Sequence, residues 1–292
     1  VTLPPLEQAA VGSALSAALA AVSAGGTLAP GRFVVVPRAE STSTDLVAAV
    51  RDDDAAWPDR SVLVADHQVA GRGRAGRTWT TPPGTALTFS VLLRPQVPLE
   101  RLGWVPLLAG LAVVRALGDA GARASVKWPN DVLVPAPDGL DLPGWGTSRK
   151  VAGVLGDLVT APGRTAVVVG IGINVAQQAR DLPVESATSL ALVLDEAPDR
   201  VALLAAVVGR LVELDQRWRA ADGDAWAAGI GAECSAACAT LGRPVRVELP
   251  GGGVLQGRAD ALGPDGALEV VDAAGRREAV RAGDVRHVRG VA

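Results

Sequence analysis

Apolar residues Val11, Leu15, Leu19 and Val22 recur at helical spacing and stop at Gly25-Gly26. The spacing predicts an amphipathic helix over residues 5–24, ended by glycine. The pattern then changes to short runs rich in β-branched residues. These predict strands at Arg32 to Pro37, at 61–66 (SVLVAD), at 86–93 (ALTFSVLL, alternating), at 150–159 (KVAGVLGDLV) and at 165–175 (TAVVVGIGINV). Leu107, Leu111, Val114 and Leu117 mark a further helix, and Asp199 is placed to cap another whose apolar face is Leu204, Val208, Leu211 and Trp218. Strands in runs with intervening helices, but without strict βαβ alternation, predict an α+β fold. Its mixed sheet would carry helices on one face, and a Rossmann sheet is disfavoured.

Beyond residue 238 the texture changes. PVRVEL, GVLQGRA, GALEVV, REAVRA and DVRHVR follow one another closely, punctuated by Gly251-Gly252-Gly253, Gly263-Pro264-Asp265-Gly266 and Gly275. This rhythm predicts a small β-barrel over residues 239–292, after a larger domain over 1–238. PAPDGLDLPGWGTS, from Pro135 to Ser148, reads as an exposed loop inserted between two strands.

Composition narrows the function classes. A hydrophobic share of 49% over 292 residues is enough for one sizeable core and a small appended module. A net charge of -3 provides no global basic field to hold nucleic acid or an anionic membrane, so any anion site is local. The first thirty residues lack a basic stretch followed by a long apolar run, and no run of ~18 or more residues is uniformly apolar. We therefore expect neither export nor a membrane span, and place the chain in the cytoplasm. Two cysteines, Cys234 and Cys238, are too few for a disulfide framework or a full zinc site and read as buried thiols. The segment before the first strand has room for one helix, not the two of a helix-turn-helix, so sequence-specific DNA binding is not expected.

Three stretches could carry chemistry. Gly71-Arg72-Gly73-Arg74-Ala75-Gly76-Arg77 precedes Trp79. Its guanidinium groups, interleaved with glycines, make a flexible strap that can wrap an anion with backbone N–H groups and bidentate side chains. The same composition suits a solvated loop or an RNA-binding segment. It is neither a Walker loop nor a dinucleotide fingerprint, because their glycine spacings are missing. Repulsion among the arginines and the freedom of the glycines predict mobility over 71–77 until an anion arrives. Val126-Lys127-Trp128-Pro129-Asn130-Asp131 gathers a cation for developing charge, an amide, and a carboxylate that could hold Mg²⁺ or orient the lysine. The alternative is a turn at Asn130-Asp131 with Lys127 in a surface ion pair. In Gly170-Ile171-Gly172-Ile173-Asn174, glycines on a buried strand let a ligand approach the backbone, with Asn174 at its rim.

Taken in order, these segments resemble the catalytic domain of biotin protein ligases. The resemblance runs from Ser41-Thr42 and Asp66-His67-Gln68 through GRGRAGR, Trp79, KWPND, Arg149-Lys150-Val151-Ala152-Gly153 and GIGIN to Ala187-Thr188-Ser189-Leu190. It covers residues 32–240, and the C-terminal module looks like the SH3-like domain of that family. The resemblance implies a class II synthetase-like fold of the monofunctional type, without an N-terminal DNA-binding domain. It also implies activation of biotin by ATP to biotinyl-5′-AMP, then transfer to a lysine of a biotin carboxyl carrier domain of an acyl-CoA or pyruvate carboxylase. Mg²⁺ is the implied cofactor, with Asp131 as its candidate ligand. The oligomeric state stays open, a weak homodimer being one option.

The resemblance places Ser41, Thr42, Ser43, Gln68, Gly71, Arg72, Gly73, Arg74, Lys127, Lys150 and Gly153 around biotin. It places Arg72, Arg74, Arg77, Trp79, Lys127, Asn130 and Asn174 around the nucleotide, with Trp79 against the adenine. Lys127, with Arg72 and Arg74, is implied as catalytic: cationic charge beside the reacting α-phosphate stabilises the transition state. Lipoate ligases and lipoyl or octanoyl transferases share the fold, but the strap and KWPND favour biotin. A biotin-sensing repressor would need the DNA-binding head. Two departures stand out. Ser43 takes the place of an Asn that the family commonly has, and the loop from Pro135 to Ser148, with Trp145, is longer than the family's and reads as a simple insertion.

Overall fold

The structure, a computed structural model, describes residues 2–23, 31–161 and 164–287. Seven strands, β1 (Phe33–Val36), β2 (Val62–Ala65), β3 (Ala86–Leu93), β4 (Ser125–Lys127), β5 (Asp131–Pro135), β6 (Ser148–Ala161) and β7 (Arg164–Asn174), form one mixed sheet. Their order is β1-β2-β3-β7-β6-β5-β4; β1 and β2 pair in parallel and the other neighbours antiparallel. All five strands expected from the hydrophobic runs are present.

Successive residues of a strand point to opposite sides, and here both sides are covered. Leu87, Phe89, Val91 and Leu93 of β3 and Val167, Val169, Ile171 and Ile173 of β7 enter the main core. That core lies under α3 (Val105–Asp119) and α4 (Arg200–Ala220), with α1 (Gln8–Ala21) packed on α4. Leu63, Leu92 and Val168 point the other way, into a smaller core with Leu46 and Val50 of α2 (Thr42–Asp52). Helices thus pack on both faces of the sheet, not on one as the sequence suggested. The alternation in ALTFSVLL accordingly marks two buried faces rather than a buried and a wet one: every residue of β3 is buried.

Asp199 caps α4 as expected, its carboxylate accepting the Ala202 N–H at 2.8 Å. Val11, Leu15 and Leu19 are the buried face of α1, whereas Gly25-Gly26 and residue 24 of the expected 5–24 span lie outside the described residues. Leu99–Asp119, a 3-10 turn running into α3, is long and apolar enough to cross a membrane by length and composition. It forms the central core helix instead, with Leu107, Leu108, Leu111 and Leu117 buried. Both cysteines are free and buried, Cys234 on α5 (Ile230–Ala237) and Cys238 at its end.

The C-terminal strands β8 (Pro244–Glu248), β9 (Val254–Leu262), β10 (Leu268–Val271), β11 (Arg277–Val280) and β12 (Asp284–His287) form an antiparallel sheet ordered β11-β10-β9-β8-β12. The expected barrel is not closed: among the described residues β11 and β12, the two ends, are not paired. Val288 and Arg289 of DVRHVR lie outside the described residues. Gly251 and Gly252 turn the chain with φ of 95° and 96°, a region that favours glycine. The small sheet is fixed to the large one by two indoles. Trp104 Nε1 donates to Pro264 O at 2.9 Å and Trp128 Nε1 to Gly266 O at 3.0 Å. This contact brings β12 to the end of the sheet where Lys127 stands.

Candidate active site

Gly170 and Gly172 of β7 point to the α2 side of the sheet, Gly170 beneath the first turn of α2 and Gly172 beneath Trp79. Above them opens a cavity of about 470 Å³. It is lined by the start of α2, the strap, the β4–β5 turn, β6 and β12. The two glycines are required by their neighbours. A Cβ on Gly170 would collide with the Ser43 hydroxyl, and one on Gly172 would lie 2.7 Å from the Trp79 ring. The GIGIN motif therefore makes room for two side chains as well as for a ligand.

At this end of the cavity the polar groups around Gly170 are uncharged, with Arg72 at the rim, where it donates to Thr44 Oγ1 at 3.4 Å. Gln68 Oε1 accepts the Thr42 N–H at 2.7 Å and the Thr42 hydroxyl at 3.1 Å. Since that oxygen can only accept, the Ser90 hydroxyl must be the donor to Thr42 Oγ1, at 2.8 Å. Its single proton spent, Ser90 accepts from Ser43 at 3.1 Å. The chain of hydroxyls leaves the Ser43 oxygen free to accept from a ligand N–H. Gln68 keeps its amide N–H groups to donate. Ser43, in the place of the family's Asn, is thus an acceptor at the cavity wall. Ser90 was missed by the sequence analysis because an isolated Ser in an apolar strand carries no signal of its own.

The other end is cationic. Lys127, at the end of β4, is 5% exposed. Burial pushes its ammonium down to about 8, with Lys150, Arg77 and Arg286 adding repulsion and Asp131 opposing. Lys150 Nζ lies 2.6 Å from Asp131 Oδ1 and 5.6 Å from the Trp79 ring centroid. The buried Trp79 indole N–H has no partner among the described residues, a donor left for a ligand. The surface ion pair considered for Lys127 is absent among the described residues. Instead its Nζ sits 3.7 Å from the centroid of Trp145. The loop from Pro135 to Ser148 therefore rims the cavity, through Pro143, Gly144 and Trp145, where the sequence suggested a simple insertion.

The strap is folded as a turn: Arg72 and Thr78 bridge, Gly73 N–H donates to Arg77 O at 2.7 Å, and Ala75 and Gly76 take positive φ. Its arginines do not face one another unpaired. Arg72 meets Asp157 at 3.5 Å, Arg74 the Asn130 amide oxygen at 3.4 Å, and Arg77 pairs with Asp284 of β12.

Ser41, Thr42, Ser43, Gln68, Arg72, Gly73, Arg74, Arg77, Trp79, Lys127, Asn130, Asp131, Lys150 and Gly153 all line the cavity. Gly71 and Asn174 do not. Gly71, the first residue of the strap, is packed against its return limb, where a Cβ would strike the Trp79 carbonyl. The Asn174 amide is consumed in the scaffold, donating to Thr188 O and accepting from Gln177 Nε2, each at 2.9 Å. The residues do not fit a resident Mg²⁺ site. Asp131 is already engaged by Lys150, and no group of three His, Cys, Asp or Glu could hold a metal among the described residues.

Family models match in two places: the biotin/lipoate A/B protein ligase family over residues 35–174, and the biotin protein ligase C-terminal domain over 240–288. The chain is 36% identical over 260 residues to a biotin--[acetyl-CoA-carboxylase] ligase of Mycobacterium tuberculosis, covering 87% of this chain and 88% of that one. The chain belongs to the biotin protein ligase family. A solved family member, the biotin protein ligase from Aquifex aeolicus in complex with biotin and ATP, superposes with a TM-score of 0.67 at 28% identity. That match covers 88% of this chain and 99% of the other. The bifunctional ligase/repressor BirA of Bacillus subtilis is 37% identical over 152 residues, 50% of this chain and 43% of that protein.

Proposed function

We propose that the chain activates biotin with ATP to biotinyl-5′-AMP and transfers the biotinyl group to a lysine of a carrier domain, the biotin carboxyl carrier domain of an acyl-CoA or pyruvate carboxylase. The observation that carries this reading is the polarity of one cavity, uncharged hydrogen-bonding groups at Ser43 and Gln68 at one end and clustered cations at Lys127, Lys150, Arg74, Arg77 and Arg286 at the other. Biotin has the matching polarity: a neutral ureido group at one end and a carboxylate at the other. The ureido N–H groups would meet Ser43 and its oxygen the Gln68 amide. The carboxylate would then lie toward Lys127 and Lys150.

In the first step a carboxylate oxygen attacks the α-phosphorus and the bond to the β-phosphate oxygen breaks, releasing pyrophosphate. Negative charge moves onto that oxygen while the phosphoryl group passes through its transition state. Lys127, poorly solvated and aimed into the cleft, stabilises this charge more strongly than a wet lysine would. Arg72, Arg74 and Arg77 would close on the phosphates with charge-assisted hydrogen bonds. In the second step the acceptor amine attacks the acyl carbonyl and AMP leaves. Mg²⁺ enters this scheme with ATP, as part of the substrate. The need for ATP and a carrier supports the cytoplasmic location expected from the sequence.

The test is incubation with Mg·ATP and either biotin or lipoate, followed by mass detection of the acyl-adenylate. We expect biotinyl-adenylate without any carrier present, and label on one carrier lysine once it is added. Lipoyl-adenylate in preference would overturn the substrate assignment.

A further inference from the structure

Lys127 is an ammonium with three donors, yet among the described residues no carboxylate, carbonyl or hydroxyl accepts from it. Its close partner is the face of Trp145, 3.7 Å from Nζ to the ring centroid. An indole face carries negative quadrupole density and attracts a cation without neutralising it. A carboxylate in the same place would hold the ammonium harder, but would compete with the phosphate oxygens that the lysine must later meet.

The ring is there because the loop between β5 and β6 is built to present it. Trp145 stands between Gly144 and Gly146, whose φ of 79° and 60° lie in the left-handed region. Leu142 N–H donates to Gly146 O at 3.0 Å and Trp145 N–H to Leu142 O at 3.0 Å, closing a tight turn. Beneath it the Arg149 guanidinium, buried to 3% exposure, donates to Ser148 O and Leu140 O, both at 3.0 Å, to Gly146 O at 3.3 Å and to the Asp138 carboxylate at 3.3 Å. A buried cation spent on three carbonyls and one carboxylate of this segment fixes the turn more firmly than an exposed loop needs.

We propose that Trp145 is a positioning residue for adenylation, its indole face holding the Lys127 ammonium at the head of the cleft until the substrates' anionic oxygens replace it. This rests on the biotin-adenylating reading above. The groups that also face this ammonium are Asp131 of β5, Lys150 of β6, Arg77 of the strap, and Arg286 and His287 of β12. A substitution confined to residue 145 leaves the identity of each of them unchanged.

The experiment reads biotin-dependent pyrophosphate release across pH, with biotin affinity measured by calorimetry on the same proteins. Trp145→Leu keeps the cavity wall apolar and removes the ring face. We expect kcat to fall by up to about ten-fold, because an ammonium not held beforehand must be ordered during the reaction, with biotin affinity nearly unchanged. The alkaline limb of the rate profile should move to lower pH, and Trp145→Phe should recover most of the loss. Tryptophans of increasing fluorination inserted at 145 keep the shape while draining the ring face, so kcat should fall stepwise with fluorination. Indifference to fluorination, an alkaline limb that stays or moves up, or a loss confined to biotin affinity would overturn the proposal. A wild-type chain that releases no pyrophosphate with biotin would instead sink the reading on which it rests.

Discussion

The Ser43 hydroxyl occupies the space that any side chain at Gly170 would need. It also ends the hydroxyl chain that runs through Ser90 and Thr42 to Gln68. A methyl group at 170 must push Ser43 away, so Gly170→Ala should cost about 1–3 kcal/mol of stability, the usual range for overpacking. It should also weaken biotin binding by about ten-fold or more, the cost of one buried hydrogen bond lost. Adding Ser43→Ala should restore stability without restoring affinity. Thermal unfolding and calorimetry on the single and double variants check both halves; an affinity that recovers with stability would contradict the assignment of Ser43 as a ligand acceptor.

Lys127 supplies a second expectation, with a sign. The side chain acts as a cation, and burial lowers its titration to about 8. The active form is therefore complete below that value, and kcat/KM should fall as pH rises through about 8. Bound phosphates favour the cation, so the limb in kcat should lie higher. Lys127→Ala should slow pyrophosphate release by about 10²-fold or more while biotin affinity changes much less. A profile flat from neutrality to pH 10 would remove Lys127 from this role.

His287, at the end of β12, is buried near Lys127 and Arg243 and contacts Thr240 Oγ1 at 3.3 Å. Burial, then those two charges, pushes its imidazole down to about 4 from an ordinary 6.5. The unfolded chain therefore takes up a proton that the folded one refuses. Stability should be full above about 6.5 and fall as pH drops toward 4, by up to about 3 kcal/mol. His287→Gln should flatten that segment of the urea-midpoint profile. An unchanged slope would show that other groups govern the acid limb.

The strap should protect the adenylate as well as bind it. Arg74 now rests on Asn130, an uncharged partner that a phosphate would outcompete. Arg74→Gly should release biotinyl-adenylate faster and label bystander lysines, because the mixed anhydride escapes before the carrier arrives. Amide exchange over residues 71–77 should slow when adenylate is added. Retention equal to wild type would rule out the lid.

Much of this was legible in the sequence because it rests on local patterns. The strands at 61–66, 86–93 and 165–175 and the Asp199 cap follow from side chains next to one another. α2 escaped because its opening Thr42-Ser43-Thr44 reads as turn and cap chemistry, and only Leu46, Val47 and Val50 mark its apolar side. Burial of both sheet faces escaped with it. Thr88 and Ser90 look like the wet positions of an alternating strand, yet they are buried and bonded to Ala65 O and Thr42 Oγ1. Within the site, residue types that chemistry demands could be named in advance. Which of them actually meet depends on tertiary geometry, and that decided the cases of Asn174, turned into the scaffold, and Trp145, brought over Lys127 by the course of β5 and β6.

The alternation along β7 has a genetic consequence. Val169, Ile171 and Ile173 answer to folding, whereas Gly170 and Gly172 answer to the shape of the cleft. Loss-of-function alleles in this one segment should fall into two interleaved classes, one with little protein in the cell and one with protein present but inactive. A stabilising substitution elsewhere in the chain would suppress the first class and leave the second untouched, so neighbouring codons would differ in whether their damage can be compensated at a distance.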